Sequence, residues 1–72
     1  MEKLSEKQLL TLNAIKNYIE TYGYSPTIRE LCVKCGVNSP ATVHASLKIL
    51  KRKGYIDYSY NRNRTIRIIK EQ

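Results

Sequence analysis

The sequence predicts a mainly α fold, with three short helices closed by a small β-hairpin. Three observations predict it. Apolar residues recur at helical spacing in three stretches, glycine or proline punctuates each stretch, and after Gly54 the pattern changes to runs rich in aromatic and β-branched side chains. A chain of 72 residues makes one domain, spanning 1–72, with a modest core and little room for an enclosed active site.

The first helix, over about 5–22, starts at Ser5, with Gln8 three residues on in capping-box spacing and Leu4 and Leu9 placed as a hydrophobic staple. Leu12, Ile15, Ile19 and Tyr22 form one predicted buried stripe. Gly23 ends the helix, and Ser25 before Pro26 resists its continuation. Thr27 and Glu30 form a second capping box, opening a helix over about 27–35 whose apolar face is Ile28, Leu31, Cys32 and Cys35. Gly36 suits a left-handed cap, and Val37 and Asn38 complete a tight turn.

The third helix, over about 39–53, has Ser39 as its N-cap and Pro40 at the first helical position. Val43, Leu47 and Leu50 are its inner stripe, with Ser46 allowing close approach. Lys51, Arg52 and Lys53 fill the last turn, where cations meet the negative end of the helix dipole. The hairpin, over about 55–69, pairs Tyr55–Ser59 with Thr65–Ile69 across a polar turn, in which Asn61 and Asn63 tolerate left-handed geometry. Alternation puts Ile66 and Ile68 inward and Thr65, Arg67 and Ile69 outward. Tyr55 and Tyr58 are read as packing on the first and third helices, with one of Ile56 and Tyr58 less buried.

Two short helices joined by a tight glycine-containing turn, then a hairpin, make a winged helix-turn-helix. The charge fits such a module. Thirteen Lys and Arg against six Asp and Glu leave +7, which favours a polyanionic partner. Residues 1–47 balance five cations against four anions, whereas residues 48–72 carry eight against two. The outer face of the third helix, Ala41, Thr42, His44, Ala45 and Lys48, is small near its start and basic later. Ala41 and the Thr42 methyl can touch a thymine methyl, His44 can bond a purine or a phosphate, and Ser39 Oγ can donate to a phosphate. Lys48 suits a base or the backbone, and Lys51, Arg52 and Lys53 suit phosphates. Arg62 and Arg64 at the wing tip, with Arg67 on its return strand, can lie over phosphates or enter a minor groove. Tyr55, Tyr58 and Tyr60 could instead stack on single-stranded bases, but two strands offer too small a platform for an RNA-binding sheet.

Other chemistries find less support. Cys32 and Cys35 lie on the apolar stripe and read first as core, with a redox switch as the alternative. Zinc would need two more ligands, and His44, the one histidine, is expected to face away from the second helix. No metal, cofactor or small-molecule ligand is expected. Neither a carboxylate pair nor a phosphate-binding glycine loop is present, so no enzyme activity is expected. No stretch reaches the roughly 20 apolar residues of a membrane span, and the cytoplasm is the expected compartment.

These residues strongly resemble the N-terminal DNA-binding domain of LexA, the self-cleaving repressor of the bacterial DNA-damage (SOS) response. The resemblance runs from about Leu4 to Ile69. It rests on Leu4-Ser5 with Gln8, the Gly23 break, Pro26-Thr27-Ile28-Arg29-Glu30-Leu31, Gly36-Val37-Asn38-Ser39-Pro40, the run Leu47 to Ile56, and Arg64-Thr65-Ile66-Arg67-Ile68. It implies a sequence-specific double-stranded DNA-binding regulator, with two copies over a palindromic operator. Base contacts are implied from Ser39, Ala41, Thr42, His44 and Ala45. Some members carry Asn at the position of Ala41 and glutamates at those of His44 and Ala45, whereas Thr42-Val43-His44 resembles the Gram-positive version. The family's self-cleaving half, with its Ala-Gly site and Ser-Lys dyad, does not fit in 72 residues. The chain is therefore either a domain cut from a longer repressor or a small free-standing regulator. The rival function is a winged-helix adaptor that binds protein and has no DNA target.

Overall fold

The computed structural model describes residues 3–59, 62 and 64–70. It comprises α1 (Glu6–Tyr22), α2 (Ile28–Cys35), α3 (Pro40–Arg52), β1 (Ile56–Asp57) and β2 (Arg67–Ile68), a three-helix winged helix-turn-helix. None of its helices is long and apolar enough to cross a membrane.

Both capping boxes form. Ser5 Oγ accepts from Gln8 N–H while the Gln8 side chain accepts from Ser5 N–H, and Thr27 and Glu30 make the same reciprocal pair. Gly23 and Gly36 close α1 and α2 with φ of +80° and +69°, a region that costs residues with a Cβ about 1 kcal/mol or more. Pro40 stands at the start of α3, but Ser39 departs from expectation: it occupies the N-cap position without a side-chain capping bond. Its exposed hydroxyl is therefore not committed to the helix.

The core lies where the three helices meet the hairpin. Ile15 of α1, Leu31 and Cys32 of α2, and Val43, Leu47 and Leu50 of α3 pack with Tyr55, Ile56, Tyr58 and Ile66. The stripe predicted for α1 needs one correction. Tyr22 is half exposed, and Tyr18, absent from that stripe, is buried. Tyr22, at the last position of α1, lies at the rim of a groove with Glu30, Val33 and Lys34 of α2, which covers it only in part. Tyr18 sits a turn earlier, where Thr11, Ala14 and Ile15 are buried as well. The buried face of α1 is thus wider than a single stripe, because it packs against both α2 and α3.

The regular strands are short, two residues each, but backbone bonding reaches the open end of the predicted 55–69 hairpin, where Ile69 N–H donates to Tyr55 O at 2.8 Å. Its strands pair antiparallel, Ile56 with Ile68 and Asp57 with Arg67. Side chains extend the connection: Ser59 N–H donates to Thr65 Oγ1 at 2.9 Å, and Thr65 Oγ1 donates to Ser59 O at 3.2 Å. Ile66 is buried, Ile68 half-buried, and Arg67 and Ile69 exposed. Ile56 and Tyr58 are both buried, contrary to the expectation that one would be less so. Two residues apart in extended chain, they face the same side. Asn61 and Asn63 lie outside the described residues; the left-handed non-glycine residue among those described is Arg64, at φ +57°.

Leu47 is fully buried against neighbours from the rest of the core. Leu47→Ala should destabilise the fold by about 2–5 kcal/mol, since removal of buried methyl groups leaves a cavity that neighbours fill only partly. Urea unfolding followed by circular dichroism measures this loss.

Candidate nucleic-acid interface

The rotation of α3 decides which of its side chains meet solvent. Val43, Leu47 and Leu50 turn into the core at 2% exposure or less. At 3.6 residues per turn the opposite face is Ala41, Ala45, Lys48 and Arg52, spaced by four, three and four, and all four are exposed. Small residues lead this stripe and cations end it. Thr42 and His44 flank it, each half-buried. Thr42 turns toward α1, lining a shallow groove with Lys7, Gln8 and Ser46.

His44 turns the other way, into a small cleft lined by Thr27, Ile28, Tyr58, Arg62 and Thr65. The expectation that it faces away from the second helix is therefore corrected. It borders the buried stripe one residue after Val43, and α3 packs across the start of α2 on that side. His44 thus stands at the junction of α3, α2 and the wing.

The cations expected on the backbone-contacting surface divide by position. Lys48, Arg52 and Arg62 have no hydrogen-bond or ion-pair partner for their side chains among the described residues. Lys51 Nζ donates to Tyr58 O at 2.9 Å and lies 3.5 Å from Asp57 Oδ1. Arg67 Nη2 donates to the other Asp57 oxygen at 3.3 Å. That bond leads the causes that hold the Asp57 carboxyl below the usual range. Lys53 donates to Lys3 O and Gln8 Oε1, which ties the end of α3 to the start of α1. These pairs are solvent-exposed, so each contributes little to stability.

Arg64 is the most heavily engaged. Nη1 lies 3.1 Å from Glu30 Oε1 and Nη2 donates to Oε2 at 3.1 Å, a two-point contact between fork and carboxylate. Nη1 also donates to Ser25 O at 3.1 Å, and the guanidinium carbon lies 4.8 Å from the centre of the Tyr24 ring. Ser25, buried beneath it, accepts from Ile66 N–H at 3.1 Å. The sequence places Arg64 beside Arg62 as a wing cation. In the structure its head lies on the α1–α2 corner. Glu30 is legible in the sequence as a capping residue but not as the partner of a residue 34 positions away. Ser25 and Tyr24 carry no sequence signal for this role.

Cys32 is buried in the core and Cys35 is half-buried; both thiols are free. Burial pushes the Cys35 thiol above its usual range, which favours the protonated form. No group of three or more His, Cys, Asp or Glu able to hold a metal exists among the described residues.

The family model described as "LexA DNA binding domain" matches residues 1–65. The chain belongs to the LexA DNA-binding domain family. A LexA repressor of Desulfatibacillum aliphaticivorans is 49% identical over 70 residues, covering 97% of this chain and 34% of the relative. One from Carboxydothermus hydrogenoformans is 39% identical over 96% of the chain and 34% of the relative. A third, from Thermobifida fusca, is 43% identical over 90% of the chain and 26% of the relative. The chain thus spans about a third of the length of these LexA relatives or less. The match is to the DNA-binding domain of that family.

Within this LexA fold Glu30 predicts a pH dependence. The Thr27 N–H bond, followed by those from Tyr18 and Arg64, outweighs desolvation and pulls its pKa from 4.5 to about 2. The folded carboxyl binds its proton less readily than the unfolded one. Its ionised form therefore stabilises the fold above pH 4.5, and that contribution is lost as the pH falls toward 2. In Glu30→Gln the melting temperature should fall less steeply between pH 4.5 and 2 than in the wild type. Thermal melts across that window measure the difference.

Proposed function

We propose that this domain reads double-stranded DNA in a sequence-specific way, as the operator-binding module of a LexA-type transcriptional repressor. The observation that carries the reading is the exposed stripe of α3, with Ala41 and Ala45 leading into Lys48 and Arg52, on a chain of this family. An α-helix fits the major groove, and small residues at its start let its backbone and flanking side chains come close to base edges. Ser39, with its hydroxyl uncommitted, and the Ala41 N–H in the first turn suit a phosphate there, since Pro40 has no N–H and Thr42 N–H is bonded to Ser39 O. Thr42 and His44 reach base edges from the two flanks. Lys48 and Arg52 hold the duplex further along, and Arg62 engages the backbone or the minor groove beside the wing.

Two copies on a palindromic operator then join two weak half-site contacts into one tight one, with the free protein largely monomeric. The relatives' designation as repressors supports promoter occlusion as the consequence.

Selection of bound duplexes from a random pool tests the reading, since it should return one preferred half-site repeated with two-fold symmetry. An enriched pool without any preferred sequence would overturn specific recognition. Lys48→Ala should weaken binding to every duplex and lower the slope of log affinity against log salt by about 1. Lys51→Ala should have a smaller effect, because Asp57 and Tyr58 O already hold that ammonium. Fluorescence anisotropy titrations over a salt series measure both, and binding that ignores salt would favour a protein-binding adaptor instead.

A further inference from the structure

A hairpin with two-residue strands is marginal by itself, so the body of the domain must set the wing's direction. The return limb is fastened to the α1–α2 corner by neighbouring contacts. Ile66 N–H donates to Ser25 Oγ, while the Arg64 fork holds Glu30 at two points, donates to Ser25 O and lies over Tyr24. Arg64 adopts a left-handed backbone at φ +57°, which a residue with a Cβ does not favour unless its surroundings hold it there.

Arg62 hangs from this anchor. Its N–H donates to Ser59 O at 3.2 Å, and its carbonyl shares the one Thr65 hydroxyl proton with Ser59 O at 3.2 Å, so both sides of its backbone are tied into the turn that precedes Arg64. It is exposed and shares a cleft with His44 of α3. Arg64 is poorly placed for a phosphate, which would have to displace a two-point carboxylate contact and leave the Glu30 anion facing DNA.

We propose that Arg64 is a positioning residue for DNA binding: its clamp on Glu30, Ser25 and Tyr24 sets the wing so that Arg62 is presented beside α3. This rests on the DNA-binding reading above. A cation delivered in a set position loses less freedom on binding than one on a loose loop, so loosening the clamp lowers affinity through Arg62.

The test uses Glu30→Gln, Arg62→Ala, the double variant and Arg64→Lys, titrated into fluorescent duplex across a salt series. Glutamine can still complete the Thr27 capping box but cannot anchor the fork as an anion. Thermal melts choose a temperature at which every variant is folded. Glu30→Gln raises the net positive charge, so bulk electrostatics alone would tighten binding. The clamp makes the opposite forecast: Glu30→Gln weakens binding several-fold, and Arg64→Lys, which keeps the charge and loses the fork, weakens it similarly. With Arg62 already replaced by alanine, Glu30→Gln should cost nothing further.

Unchanged or tighter binding by Glu30→Gln would overturn the proposal, as would losses from Glu30→Gln and Arg62→Ala that multiply in the double variant. Wild-type protein that fails to bind duplex at low salt would overturn the DNA-binding reading itself, and the clamp's role with it. Binding by the wild type with no response to Glu30→Gln removes the clamp alone.

Discussion

The candidate interface depends on the burial of Val43, Leu47 and Leu50 along one side of α3. That burial sets the rotation of the helix, and the rotation sets the fate of every other side chain on it. A slip by one residue would turn α3 by about 100° and carry Lys48 toward the core, where an unpaired ammonium is costly. The register is therefore strongly held. With it in place, Ala41, Ala45, Lys48 and Arg52 face solvent, Lys51 reaches the hairpin and Lys53 reaches the start of α1.

The same rotation sorts the charge. Eight cations in the last third suggest one broad basic surface, and several of them also make exposed contacts within the domain. Asp57 gathers Lys51 and Arg67, Glu30 takes Arg64, and Lys70 lies over the Tyr55 ring. Among the described residues, Lys48, Arg52 and Arg62 are the cations of α3 and the wing whose side chains make no hydrogen bond or ion pair within the domain, so they are open to solvent. The net charge of the chain thus overstates what one face can offer to a polyanion, while its sign still favours approach.

Helix starts, helix stops and core stripes were legible in the sequence because their causes are local. Ser5 with Gln8, Thr27 with Glu30, and the glycines at 23 and 36 act within one turn of where they stand. Val43, Leu47 and Leu50 are recognisable by spacing alone. Local rules failed where a neighbouring element decides. Tyr18 and Tyr22 both fit the inner side of α1, and only the packing of the neighbouring elements makes one buried and the other half exposed. His44 looks like an outward residue by spacing, yet it borders α2 and the wing in a shared cleft. Ser39 has the sequence of a capping residue without making the capping bond.

The sequence by itself therefore determined the kind of molecule: three capped helices, a short hairpin, an apolar stripe that turns a small-then-basic face outward, and the family to which these motifs belong. The tertiary structure decided which cations remain available and what orients the wing. The physical reason is range. Capping and periodicity act over three or four residues, whereas Arg64 meets Glu30 across 34 positions, a contact that exists only once α1, α2 and the hairpin have packed.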